Sequence, residues 1–166
     1  RPKLFSLKEL LKAFLEHRKD VVTKRCVFDL NKAEARAHIL EGLKIALDNI
    51  DAVVETIKKS AGPEQARLAL GTRFGLSEKQ SQAILEMRLQ RLTALETQKI
   101  IDELKETMAE IERLKVILGS ESELLKVIKT ELEEILQKYT DPRKSQISYE
   151  DDKEFVMEDF VKDEQV

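Results

Sequence analysis

Apolar positions along this chain recur at the three- and four-residue spacing that puts side chains on one helix face. Leu7, Leu10, Leu11, Phe14 and Leu15 gather on one side of a predicted first helix, opened by a capping box of Ser6 and Glu9. Further on, Ile39, Leu43, Ala46, Ile50, Val53 and Ile57 alternate spacings of four and three, the seam of a coiled coil. Two courses stay open for this stretch: one helix running to about Lys59, or a bend near Asp29 to Asn31 with Asn31 and Glu34 capping a second helix. Ile101, Leu104, Met108, Ile111 and Leu118 repeat the rhythm, with Leu114 and Ile117 beside them, and Gly119 is the predicted stop.

Between the two seams lie Gly62-Pro63, a short helix near Glu64 to Leu70, then Gly71, Gly75 and the segment from Leu76 to Glu96, LSEKQSQAILEMRLQRLTALE. That segment holds two helix-start patterns, Ser77 with Gln80 and Thr93 with Glu96. Ala83, Ile84, Met87 and Leu92 form its apolar stripe, widened by Leu85 and Leu89, while Arg88 and Arg91 face elsewhere. A short helix this apolar needs more than one packing partner, either its own stalk or another chain. Ser120 and Glu123 open a last helix carrying Leu125, Ile128, Leu132, Ile135 and Tyr139, which ends before Asp141-Pro142. Gln146 to Tyr149 read as a short strand or a linker.

The chain therefore reads as all-α: a long antiparallel two-helix coiled-coil stalk with a small helical head and further helices at its base. The predicted order is a basic helix at the stalk base (1–30), an outgoing stalk helix (31–60), the head (61–96), a returning helix (97–118), a base helix and linker (119–147), and an acidic, mostly disordered tail (148–166). Composition fits, with 37% charged residues, 5% aromatic, no Trp and three prolines in 166 residues. Such a core is built from Leu, Ile, Val and Ala, and extended helices bury less per residue than a globule, so a partner must supply the rest.

Charge is unevenly spread. Residues 1–25 carry eight cations against three acids, a net +5, and residues 150–166 carry eight acids against two lysines, a net −6. The basic end offers Arg18, Lys19, Lys24 and Arg25 as candidate contacts to a nucleic-acid backbone, or simply a solvated helix face. No apolar run approaches 18 residues and no signal-peptide pattern appears, so the expectation is a soluble protein that contacts no membrane. The single cysteine, Cys26, excludes an internal disulfide and fits a reducing cytoplasm.

Catalytic and metal-binding patterns are missing: there is no Gly-rich phosphate loop, no Cys or Cys-His metal spacing and no Ser-His-Asp arrangement. His17 and His38 read as polar residues on helix surfaces.

The segment LSEKQSQAILEMRLQRLTALE resembles the signature of the breakage-reunion subunits of bacterial type IIA topoisomerases, the A subunits of DNA gyrase and topoisomerase IV. FLEHRKDVVTKR (14–25), KAEARAHILEGLKIALDNID (32–51) and DPRKSQI (141–147) extend the likeness over residues 1–147, with Ala94 where the family usually has Gly. The resemblance implies the stalk and exit gate (C-gate) of an ATP-dependent enzyme that changes DNA topology by passing one duplex through another. It implies a homodimer closed through the head, with Gln80, Ala83, Ile84, Met87, Arg88, Leu89 and Leu92 as the leading contacts. It also implies a parent that forms a heterotetramer with an ATPase partner, acts on duplex DNA and uses Mg2+ and ATP. The family cleaves DNA with a tyrosine flanked by arginine; neither Tyr139, on an apolar stripe, nor Tyr149, beside the acidic tail, matches. This segment is thus expected to hold no catalytic residue, no metal and no cofactor, and to be inactive alone. The competing reading is a stand-alone coiled-coil adaptor whose head binds another protein.

Overall fold

Ser6 opens the first helix in the computed structural model: its hydroxyl accepts from the Glu9 amide, and the Glu9 carboxylate takes the Ser6 amide at 2.9 Å. The structure describes residues 4–142, 144 and 145, without the side chains of 89, 90 and 94. The chain divides into two compact units, Arg1–Leu132 and Glu133–Val166.

In the first unit, α1 (Leu7–Asp48) is one continuous helix of 42 residues, α2 (Ile50–Lys59) and α3 (Pro63–Phe74) follow, then α4 (Glu78–Leu85), a 3-10 turn (Leu89–Leu92), α5 (Ala94–Gly119) and the start of α6 (Glu121–Tyr139). No strand occurs among the described residues. Helix α1 neither bends at Asn31 nor runs on to Lys59. It stops at Asn49, whose side-chain amide donates to the Ile45 carbonyl at 3.0 Å and whose backbone N–H turns to Ala46 at 3.3 Å, a tighter closure than the α-helical i−4 bond. Glu34 does not cap; it pairs with Lys115 on α5 at 3.4 Å.

The stalk is α1 against α5. Leu40 and Leu43 share a buried cluster with Ile100, whereas Val22 and Cys26 share another with Leu114, Ile117 and Ile128, so the numbering falls on α5 as it rises on α1 and the pair is antiparallel. Two features of the seam differ from the spacing argument. The face of α5 that packs carries Ile100, Ile111 and Leu114, while Met108 is 42% exposed. On the outgoing side, Val53 lies past the break at Asn49, and its helix α2 packs against α3 in the head. The packing also extends lower on α1, to Val22 and Leu15, in the stretch expected to be the basic helix at the stalk base.

The head is built where the chain leaves α1 and before it returns. Gly75 ends α3 in the left-handed region at φ 67°, where a side chain would be strained. Ser77 and Gln80 form the capping box read from the sequence. Thr93 precedes α5 but makes no side-chain cap bond, and Glu96 pairs with Lys99 at 2.6 Å. The apolar segment is not one helix: α4 ends at Leu85, and a bond from the Met87 amide to the Ile84 carbonyl turns the chain so that Met87 folds back onto the core.

Of the second unit, the described part is the last turns of α6 and a few residues after it; Ile135, Leu136 and Tyr139 are exposed, and the Lys138 ammonium stands 5.3 Å from the Tyr139 ring centre. The strand or linker at 146–149 and the acidic tail lie outside the described residues.

Candidate functional site

At the join of head and stalk, α4 and the 3-10 turn lean over α1 and leave an open cleft of about 640 Å³. Ile39 and Leu43 of α1 meet Ala83 and Met87 on its walls, and Arg36, Glu86, Arg88, Arg91 and Glu96 surround them. The local reason is the turn after Leu85: it lays Met87 against the core cluster while Arg88 and Arg91, three residues apart, bracket a single turn whose Arg91 amide bonds the Arg88 carbonyl at 2.9 Å.

Those two guanidiniums are distinctive. Among the described residues every other arginine holds a carboxylate: Arg18 and Arg25 share Glu131, Arg36 takes Glu103, Arg67 takes Glu64, Arg73 lies 4.0 Å from Glu55, and Arg113 takes Glu110. Arg88 and Arg91 have no such partner there, and Glu86 accepts only a neutral amide, from Gln82. A patch with unpaired charges of both signs beside half-buried apolar groups is chemically suited to a polar partner surface that brings the complementary charges.

The residues singled out from the sequence divide into two layers. Ala83, Met87 and Leu92 are half-buried and Arg88 is exposed, so all four present surface. Ile84 and Gln80 are only 4% and 6% exposed, the first in the core cluster and the second turned into its own stalk. The side chain of Leu89 lies outside the described residues. Nearby, Leu68 and Leu95 are 63% and 70% exposed on the head. Spacing had missed Ile39 and Leu43 as cleft walls, since it assigned them wholly to the seam. Arg91 was visible as a polar position but nothing in the sequence marked it as unpaired.

At the other end of the stalk, the four candidate phosphate contacts are all engaged within the chain. Arg18 reaches Glu131 at 2.6 Å and Arg25 reaches the same carboxylate, Lys19 reaches Glu121 at 2.6 Å, and Lys24 reaches Asp20 at 2.7 Å one turn back. Three of these pairs tie α6 to α1, and a phosphate at any one of these cations would compete with its carboxylate. Cys26 is buried between the helices, and that burial pushes its thiol above the usual range, so it stays protonated at neutral pH. No group of three His, Cys, Asp or Glu side chains that could hold a metal occurs among the described residues. No described helix is long and apolar enough to cross a membrane.

Residues 1–133 match the family of the DNA gyrase and topoisomerase IV A subunits. The chain is 54% identical to the DNA gyrase A subunit of Campylobacter fetus over 163 residues, 98% of this chain and 19% of that protein. It is 55% identical to that of Helicobacter pylori over 151 residues, covering 90% of the chain and 18% of the relative, and 50% identical to that of Leptospira biflexa over 168 residues, covering 100% and 20%. The chain thus spans about a fifth of the length of the curated relatives it matches.

Proposed function

Because this chain belongs to the family of DNA gyrase and topoisomerase IV A subunits, we propose that it is the stalk and exit-gate (C-gate) segment of a type IIA topoisomerase, and that two copies close the gate head to head. The observation that carries this reading is the cleft of the head, where Arg88 and Arg91 are the unpaired arginines among the described residues and Met87 and Ala83 supply apolar surface. A twofold contact brings the same patch to itself, and this patch suits that rule because Glu86 stands within it. In the gate, Arg88 of one copy pairs with Glu86 of the other around an apolar centre of Met87, Ala83 and Leu92. Gln80 and Ile84 lie beneath that face and support it.

A gate has to hold and yet open. A small apolar centre with a charged rim does both, since rim pairs are weak and exchange with water while the centre excludes it. Around this segment we place a cytoplasmic parent that passes one duplex through another, with the ATPase partner, Mg2+ and the cleaving tyrosine all supplied from outside these residues.

Light scattering across a concentration series tests the proposal. The chain is expected to be a dimer down to low micromolar, and Met87→Glu is expected to shift it to monomer with helicity unchanged by circular dichroism. Arg88→Glu should weaken the dimer and Arg88→Glu with Glu86→Arg should restore it. A monomer at every concentration, or a Met87→Glu chain that loses helicity together with the dimer, would sink the gate and leave the head to a foreign protein or to its own core.

A further inference from the structure

A polar plug joins the head to the stalk at Gln80. The Gln80 side chain accepts from the Ser77 amide at 2.9 Å through Oε1, as a capping box requires, and its Nε2 donates to the backbone carbonyl of His38 at 2.7 Å. Ser77 Oγ, which accepts from the Gln80 amide at 3.2 Å, also lies 2.7 Å from His38 Nε2. The group that starts α4 is therefore the group that binds α4 to α1, and the second bond is one that a helix start does not need.

Gly42 makes the socket. A methyl there would lie 2.6 Å from Gln80 Cγ and 2.7 Å from Gln80 Cβ. These are the stem of the side chain and not its movable tip, so α4 itself would have to withdraw. Glycine inside a long helix is otherwise a cost of about 1 kcal/mol, and here what it gains is contact with the head.

We infer that Gln80 is the positioning residue of the head: through the His38 carbonyl, and over the socket at Gly42, it fixes the angle at which the face bearing Met87 and Arg88 is carried on the stalk. What the face does rests on the gate reading above; the angle itself is a property of the single chain.

Gln80→Glu separates the two jobs of the side chain. A glutamate keeps the oxygen that accepts from Ser77 and so preserves the capping box, but it has no N–H for His38 and sets a negative charge against that carbonyl. With Cys26→Ala and spin labels at Lys105 on the stalk and Lys79 on the head, diluted in unlabelled chain, pulsed electron resonance reads the distance between them. One narrow distance is expected for the parent chain and a broadened or displaced one for Gln80→Glu, with the dimer dissociation constant raised at least tenfold and helicity retained. Gly42→Ala should give the same broadening without altering a polar group, which keeps the test open if Gln80→Glu fails to fold. An unchanged distance in both variants would show that Gln80 is only a cap and would overturn the inference. A broadened distance with an unchanged dimer would uphold the joint while removing this face from the dimer contact.

Discussion

Leu40 and Met108 show how much one position on a helix decides. Leu40 is fully buried at the join of stalk and head, and Met108 is 42% exposed on α5 although both fall on apolar positions. Leu40→Ala is expected to cost about 2 to 5 kcal/mol, the range for a buried leucine, and Met108→Ala well under about 1 kcal/mol, as an exposed site allows; urea denaturation of the two variants measures the difference. Equal losses would mean that Met108 packs as the spacing suggested. The sequence revealed that both residues belong to helices but not which face of α5 turns inward, because Ile100 and Ile101, like Ile117 and Leu118, offer two adjacent apolar rows and only the packing partner chooses between them. The capping boxes at Ser6 and Ser77 were legible since they depend on residues three apart. The break at Asn49 was not, because an asparagine inside an apolar rhythm stops a helix only when its side chain turns back on the preceding carbonyls. At the site, the cluster around Met87 was legible from apolar spacing, whereas the free charge of Arg88 and Arg91 depends on where every other carboxylate lies.

At the scale of elements, ion pairs hold the start of α6 on α1. The hydrogen bond from Lys19 keeps the Glu121 carboxyl below its ordinary value of 4.5, and Glu9, Glu55 and Glu110 are lowered in the same way by Ser6, Lys59 and Arg113. A carboxyl lowered in the folded chain contributes stability that is fully present above its unfolded value and disappears as pH falls through the folded one. The urea midpoint is therefore expected to hold from neutral pH to about 5 and to drop on further acidification. Lys19→Met should make that drop shallower, because its share is already absent. A midpoint that rose in acid, or a Lys19→Met profile identical to that of the parent chain, would remove the pair from the account of how α6 is held.

For the molecule as a whole, the proposal that this chain belongs to a topoisomerase makes DNA contact at its basic end a testable point. Arg18 and Arg25 share the Glu131 carboxylate, while Lys19 and Lys24 pair with Glu121 and Asp20, so four cations face three acids of the same chain and most of their charge is already offset before a phosphate arrives. Duplex affinity of this segment is therefore expected to be weak, measurable at low salt and lost at physiological salt, and to fall further in Lys24→Glu, whose cation is 75% exposed. Fluorescence anisotropy with a labelled duplex checks this; binding that is undetectable at low salt, or indifferent to Lys24→Glu, would mean that this end faces water or protein.

The antiparallel stalk also dictates an order of events when the chain is made. Cys26 and Leu40 meet partners such as Leu114 and Ile100 that leave the ribosome only after the whole head has been synthesised. Contacts within the head are local in sequence and close cheaply, whereas each stalk contact spans the head between its two sides. On the locality of its contacts the head is thus expected to form first, with the stalk closing from the head toward its base. Until then the apolar positions of α1 that α5 covers in the folded chain have no partner, and that nascent interval is when the chain is most exposed to misassembly.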